Sequence, residues 1–259
     1  QSLVVYHVKL ELKTNMMVLH SLLLRIIFQE IDDMSLIEQH GNGFNSDLSV
    51  RVVLTESEEK WRSSPSDGVE RLYLDRANFT EYTSATSIVK FDSGSRFSAH
   101  DHKNGEEFFV LDGIFSDEYG DYQKGTYVRN PHGSHHSPYS KNGCKIFVKL
   151  RQFQKGDTTR VVKSMSEPWK IHNKEVDFLK LHQYKNEIAY LAKFKPYSEV
   201  KLPFKKNGGE EILILSGELC DSLDNFSAVT WIRDPKSCFQ RASAGAHGAC
   251  IFVKSGHLY

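Results

Sequence analysis

The chain repeats itself at a fixed offset, and this constrains its fold more than any other feature. Glu106-Glu-Phe-Phe-Val-Leu-Asp-Gly113 returns 104 residues later as Glu210-Glu-Ile-Leu-Ile-Leu-Ser-Gly217. At the same offset, aligned on the proline, Gly125-Thr-Tyr-Val-Arg-Asn-Pro131 returns as Val229-Thr-Trp-Ile-Arg-Asp-Pro235. One inserted residue later, Ile146-Phe-Val-Lys149 returns as Ile251-Phe-Val-Lys254. Trp61 and Trp169 stand near the start of each copy. Self-similarity at a fixed period means one structural unit built twice. The expected division is an N-terminal extension (1–45), a first domain (46–153) and a second (154–259), with a linker near 151–165.

Each unit reads as all-β. Beyond about residue 50, short runs such as Thr86-Ser-Ile-Val-Lys-Phe91 and Tyr190-Leu-Ala-Lys-Phe194 alternate with clusters of Gly, Asn, Asp, Ser and Pro. Few segments carry a 3.6-residue period, so a sandwich or barrel is expected. Lys+Arg and Asp+Glu both number 33, for a net charge of zero. That balance argues against a nucleic-acid partner, which needs a basic surface to displace counterions, and against electrostatic attachment to a membrane. The four cysteines (Cys144, Cys220, Cys238, Cys250) form no C-x-x-C pair and no disulfide framework, which points to a reducing, cytoplasmic setting. Cys144 and Cys250 read as buried small hydrophobes.

Twelve histidines are present, and five of them fall between 100 and 136. His100 and His102 stand at i and i+2, which on a strand points both side chains to one face. Asn104-Gly105 is a tight-turn dipeptide, so the chain reverses and Glu106 faces the histidines from the next strand. His136 returns through the Pro131-x-Gly133 turn. Alternation directs Glu107 and His135 to the opposite faces, and His132 reads as a solvent-exposed turn residue. Tyr127 and Tyr139 read either as pocket lining or as plain core. Three imidazoles and one carboxylate converging inside a barrel suit one divalent first-row ion, Zn or Fe foremost, with Mn, Co or Ni as alternatives.

Gly94-x5-His100-x-His102-x3-Glu106-x6-Gly113 resembles the first cupin motif in full. Gly125-x5-Pro131-x-Gly133-x2-His136 resembles the second, with Ser140 where an Asn usually stands. With Gly-Glu-Glu, Asp117-Glu-x-Gly-Asp-Tyr122 and Arg129-Asn-Pro around them, residues 46–259 are similar to the cupin domain of ChrR-type anti-sigma factors and their stand-alone bicupin relatives. The resemblance implies a tandem double-stranded β-helix, or jelly roll, with metal ligands His100, His102, Glu106 and His136. It does not extend to sigma-factor binding: that activity belongs to a helical His/Cys zinc domain, and this chain has no Cys before Cys144.

The second copy is an internal control. Phe204 stands where His100 does, Lys206 where His102 does and Gln240 where His136 does, while the carboxylate survives as Glu210. The second barrel is therefore expected to bind no metal, with Lys206 and Gln240 serving Glu210; the alternative leaves Glu210 exposed at a turn. Arg129 and Arg233, kept in both copies, read as anchors of the fold. Two functions fit the site. One is a metal-binding module with a sensor or regulatory role, which the resemblance implies. The other is an Fe(II)-dependent dioxygenase that cleaves a small diketone or hydroxy-ketone. Either takes a small-molecule ligand. Two repeats in one chain can satisfy the pairing that single cupins make between subunits, giving a pseudo-dimeric monomer or a homodimer.

The N-terminus has a different texture. Residues 16–28 are apolar enough for a helix, but His20 and Arg25 interrupt them short of the roughly 18 uncharged residues of a membrane span. Met34, followed by loop-like sequence, reads as a candidate start, which would leave 1–33 as upstream sequence. The alternative is a helix packed on the body.

Overall fold

The computed structural model describes residues 43–258, except 59, 79–82, 200–201, 203–206, 221–223 and 237–241. The N-terminal readings, and the placements of Phe204, Lys206 and Gln240, lie outside the described residues. The described chain is built of strands, in two eight-stranded antiparallel sheets and one two-stranded sheet.

The first large sheet runs Val161–Ser164, Thr126–Asn130, Glu106–Asp117, Cys144–Leu150, Ala85–Phe91, Val69–Arg76, Arg62–Ser63, with Gly120–Gln123 paired to Glu106–Asp117. The second runs Val52–Thr55, Thr230–Asp234, Glu210–Cys220, Ser243–Ser255, Glu187–Phe194, Val176–Tyr184, Lys170–Ile171, with Asn225–Phe226 alongside Glu210–Cys220. The two orders correspond strand for strand, as a duplication requires.

The sheets exchange their leading strands. Val52–Thr55, from the first repeat, pairs with Thr230–Asp234 of the second, placing Val52 opposite Arg233. Val161–Ser164, from the stretch read as a linker, pairs with Thr126–Asn130 of the first, placing Val161 opposite Arg129. Each of these two arginines, kept in both repeats, thus sits beside the first residue of an incoming strand.

Alternation fills three cores rather than two. Phe108, Val110, Val128, Ile146 and Val148 face the interior of the first barrel. Their counterparts Ile212, Ile214, Ile232, Ile251 and Val253 fill the second. The residues between them, including Phe109, Tyr127, Phe147, Leu213, Trp231 and Phe252, form a third core that joins the two sheets back to back. Strands buried on both faces read as continuous apolar runs, which explains the unbroken Phe-Phe-Val-Leu and Ile-Leu-Ile-Leu. Tyr127 is therefore core, whereas Tyr139 is partly exposed and bridges Arg96 and Ser116.

The turn geometry survives duplication even where glycine does not. Gly125 has φ 84° and its amide donates to Val110 O at 2.8 Å; Val229 keeps φ 61° and donates to Ile214 O at 2.8 Å. A β-branched residue in the left-handed region is strained, so the turn is imposed by the sheet around it.

Candidate metal centre

Four side chains meet where the two-stranded sheet closes over the first barrel. Asn104 and Gly105 turn the chain with φ 59° and 80°, and a Cβ on Gly105 would strike the Phe153 ring at 2.4 Å. The turn delivers Glu106 as the first residue of Glu106–Asp117. His100 pairs directly across the two-stranded sheet with His136, and Asp101 with His135. His102 lies one residue past that short strand, so the ladder expected to carry both histidines holds only His100.

The donor atoms of His100, His102, Glu106 and His136 all lie within 4.8 Å of one another. His102, Glu106 and His136 are buried and His100 is exposed. Glu107 is buried on the opposite face of its strand, while His132 and His135 are exposed.

Hydrogen bonds fix how the imidazoles present themselves. Ser134 Oγ donates to Pro131 O at 2.6 Å, so its lone pair accepts from His102 Nδ1 at 2.8 Å. The Asp117 carboxylate lies 3.2 Å from His136 Nδ1, and Ser98 O lies 2.9 Å from His100 Nδ1. Each acceptor assigns the proton to Nδ1 and leaves Nε2 with its lone pair, the arrangement that orients metal-binding histidines. Nε2 of His102 and of His136 are both buried, with no hydrogen-bond partner. Each lies 3.6 Å from Glu106 Oε1, which also accepts from Asn130 Nδ2 at 3.4 Å. Buried polar atoms without partners are costly; two of them beside a carboxylate oxygen are the donor set that one cation satisfies.

Electrostatics separate the two buried histidines. Burial pushes the His102 imidazole below its ordinary value, beyond what Glu106 restores. Burial also acts on His136, but the Asp117 hydrogen bond and the Glu106 carboxylate outweigh it and hold that imidazole up. Asp117 is itself anchored: its Oδ1 accepts from the Tyr119 and Gly120 amides and from the Tyr122 hydroxyl. Asp117 and Ser134 were not identified as supports in the sequence. In the sequence Asp117 is one residue of the Asp-Glu-x-Gly-Asp-Tyr run, with nothing to mark it as a partner of His136.

A cavity of about 440 Å³ opens on this cluster, walled by Val89, Phe91, Phe97, Phe115, Ile146 and Val148. In the second barrel Glu210 is buried rather than exposed at a turn. Cys144, Cys220 and Cys250 are free, and burial pushes the Cys144 and Cys250 thiols up to about 11, as expected for packing residues. No helix among the described residues is long and apolar enough to cross a membrane.

Two barrels back to back, with imidazoles and a carboxylate converging inside the first, define a bicupin. The chain belongs to the ChrR cupin-like family, whose model matches it twice, over residues 49–154 and 157–259. Among solved structures it is similar to a candidate dioxygenase of Nostoc punctiforme (14% identity, TM-score 0.62, 82% of this chain and 85% of that one). It is also similar to the protein Ylba of Escherichia coli (15%, 0.61, 80% and 91%). A third is the pirin YhhW of Escherichia coli, solved with nickel(II) (13%, 0.59, 80% and 99%). At these identities the likeness establishes the fold. A search of curated proteins finds no match.

Proposed function

We propose that this protein is a metal-binding cupin holding one divalent transition metal, zinc or iron, in its first barrel through His100, His102, Glu106 and His136. The observation that carries this reading is the pair of buried, unpartnered Nε2 atoms facing Glu106 while every Nδ1 is engaged elsewhere. Bound there, a divalent ion supplies Lewis-acid chemistry and, as iron, redox chemistry. Ser134, Asp117 and Ser98 O keep the Nδ1 protons in place, Asn130 orients the carboxylate, and the phenylalanine walls exclude water from the inner face of the site. A small molecule entering the cavity meets the four-donor cluster, which suits a sensor or regulatory module that responds to a ligand.

The apolar cavity opening directly on the cluster favours a second reading, an Fe(II)-dependent dioxygenase acting on a small diketone or hydroxy-ketone. Four protein donors would leave a bound ion one or two open positions for such a ligand. Metal analysis of chain purified without chelator or His-tag, followed by O2 uptake with small diketones, separates the two. Tight zinc without turnover supports the binding module, iron with substrate-dependent O2 consumption supports the enzyme, and no bound metal overturns both. The free cysteines favour a reducing, cytoplasmic setting. The back-to-back sheets favour a pseudo-dimeric monomer.

A further inference from the structure

The wall of the cavity carries a cation that the four-donor cluster does not use. Arg71 lies on Val69–Arg76 opposite Val89, with Val69 opposite Phe91 two positions away. Val69, Val89 and Phe91 all belong to the core of the first barrel, so alternation turns Arg71 inward with them. It lines the same cavity as His100, His102, Glu106 and His136.

Its guanidinium makes no hydrogen bond or ion pair with any described residue, and its Nε is buried without a partner. Its Cζ lies 6.0 Å from the centroid of the Tyr73 ring. The residue opposite on the edge strand is Arg62, a like charge. The other arginines of the cavity are engaged. Arg76 donates from Nε to Asn78 O at 2.9 Å and from Nη1 to the Tyr73 hydroxyl at 3.0 Å, and Arg151 donates from Nη1 to Thr83 O at 3.4 Å.

A buried donor left without an acceptor is expensive, and a guanidinium is a planar fork of N–H groups matched to a carboxylate. The cavity volume of about 440 Å³ is in the range that encloses a small metabolite. We propose that Arg71 is the anion-recognising residue of this cavity, and that the ligand presented to the four-donor cluster is a small carboxylate. The ligand-facing half of this statement rests on the metal reading above; the arginine half does not.

The test compares pyruvate with pyruvamide, which replaces the carboxylate by a neutral carboxamide of similar size. Binding is measured by calorimetry on the full chain, zinc-loaded and metal-free, with zinc content and thermal midpoint recorded for each variant. Pyruvate should bind at least tenfold more tightly than pyruvamide. Arg71→Met should lose at least tenfold in pyruvate affinity while keeping zinc, and Arg71→Lys should recover part of the loss if the fold is intact. Equal binding of the two probes, no pyruvate binding at tens of millimolar, or unchanged affinity in Arg71→Met overturns the proposal. If wild-type chain takes no zinc, the metal reading falls, and the Arg71 dependence of pyruvate binding to metal-free chain still decides the arginine assignment.

Discussion

At the scale of single residues, Asp117 and Ser134 set the tautomers of two of the clustered imidazoles. Asp117 accepts from His136 Nδ1 and Ser134 Oγ accepts from His102 Nδ1, so each keeps a lone pair on the inward nitrogen. Asp117→Ala is expected to weaken metal binding by about 10–100-fold, read by competition with a chromophoric chelator, with the protein still folded. Glu107 makes the opposite case. It is one residue from Glu106 but faces the other way, where it pairs with Lys254 and accepts from the Tyr127 hydroxyl at 2.7 Å. Glu107→Gln should keep its metal yet lose about 3–5 kcal/mol of stability, because Lys254 is left short of counter-charge in the interior; metal content and urea midpoint read the two effects separately. The Glu106/Glu107 distinction was legible in the sequence because strand alternation is rigid. The role of Asp117 was not, since it sits at the far end of a 12-residue strand, 19 residues before the His136 it meets only in the fold.

At the scale of elements, the strand exchange explains why Arg129 and Arg233 persist in both copies. Arg233 is fully buried and donates from Nη1 to Asn45 O at 2.6 Å and from Nη2 to Asp47 O at 2.8 Å, tying the segment before Val52–Thr55 to the second barrel. Arg129 Nη2 lies 2.9 Å from Asp157 Oδ2, tying the approach to Val161–Ser164 to the first. Lysine cannot reproduce that fork. Arg233→Lys should therefore free residues 45–50 for proteolytic cleavage and cost about 1.5–3 kcal/mol, with the metal site untouched; limited proteolysis and metal content check both halves. The repeat and its strands were legible because the pattern of both-face burial is written into runs such as Ile-Leu-Ile-Leu. The exchange was hidden because Val161-Val-Lys-Ser is short and only half apolar, and its partner lies in the other repeat. Sequence neighbours cannot report such pairing.

At the scale of the molecule, the two sheets share an apolar core and a reciprocal set of buried charges. Lys149 of the first repeat pairs with Glu211 of the second, and Lys254 of the second pairs with Glu107 of the first. His257 Nε2 lies 3.1 Å from Glu211, and Arg233 Nη1 lies 3.5 Å from Asp75. Burial by itself would raise the Glu211 carboxyl, but the Lys149 ammonium and His257 outweigh it and hold it well below 4.5. The folded chain therefore binds fewer protons here than the unfolded chain. The contribution of Glu211 is complete above pH 4.5 and is lost as the pH falls below it. Urea midpoints measured as a function of pH should fall on acidification, and Glu211→Gln should flatten that dependence while lowering stability at neutral pH. Because each sheet already covers the other, light scattering should give the 29.7 kDa of a single chain.

If His100, His102, Glu106 and His136 hold the ion, one barrel of the pair binds a metal and the other keeps only the scaffold. The direct measurement is transition-metal stoichiometry by elemental analysis, on wild type, His136→Ala and Glu107→Gln. One ion per chain is expected in wild type and in Glu107→Gln, and almost none in His136→Ala. Two ions per chain, none in wild type, or equal loss in both variants would contradict it.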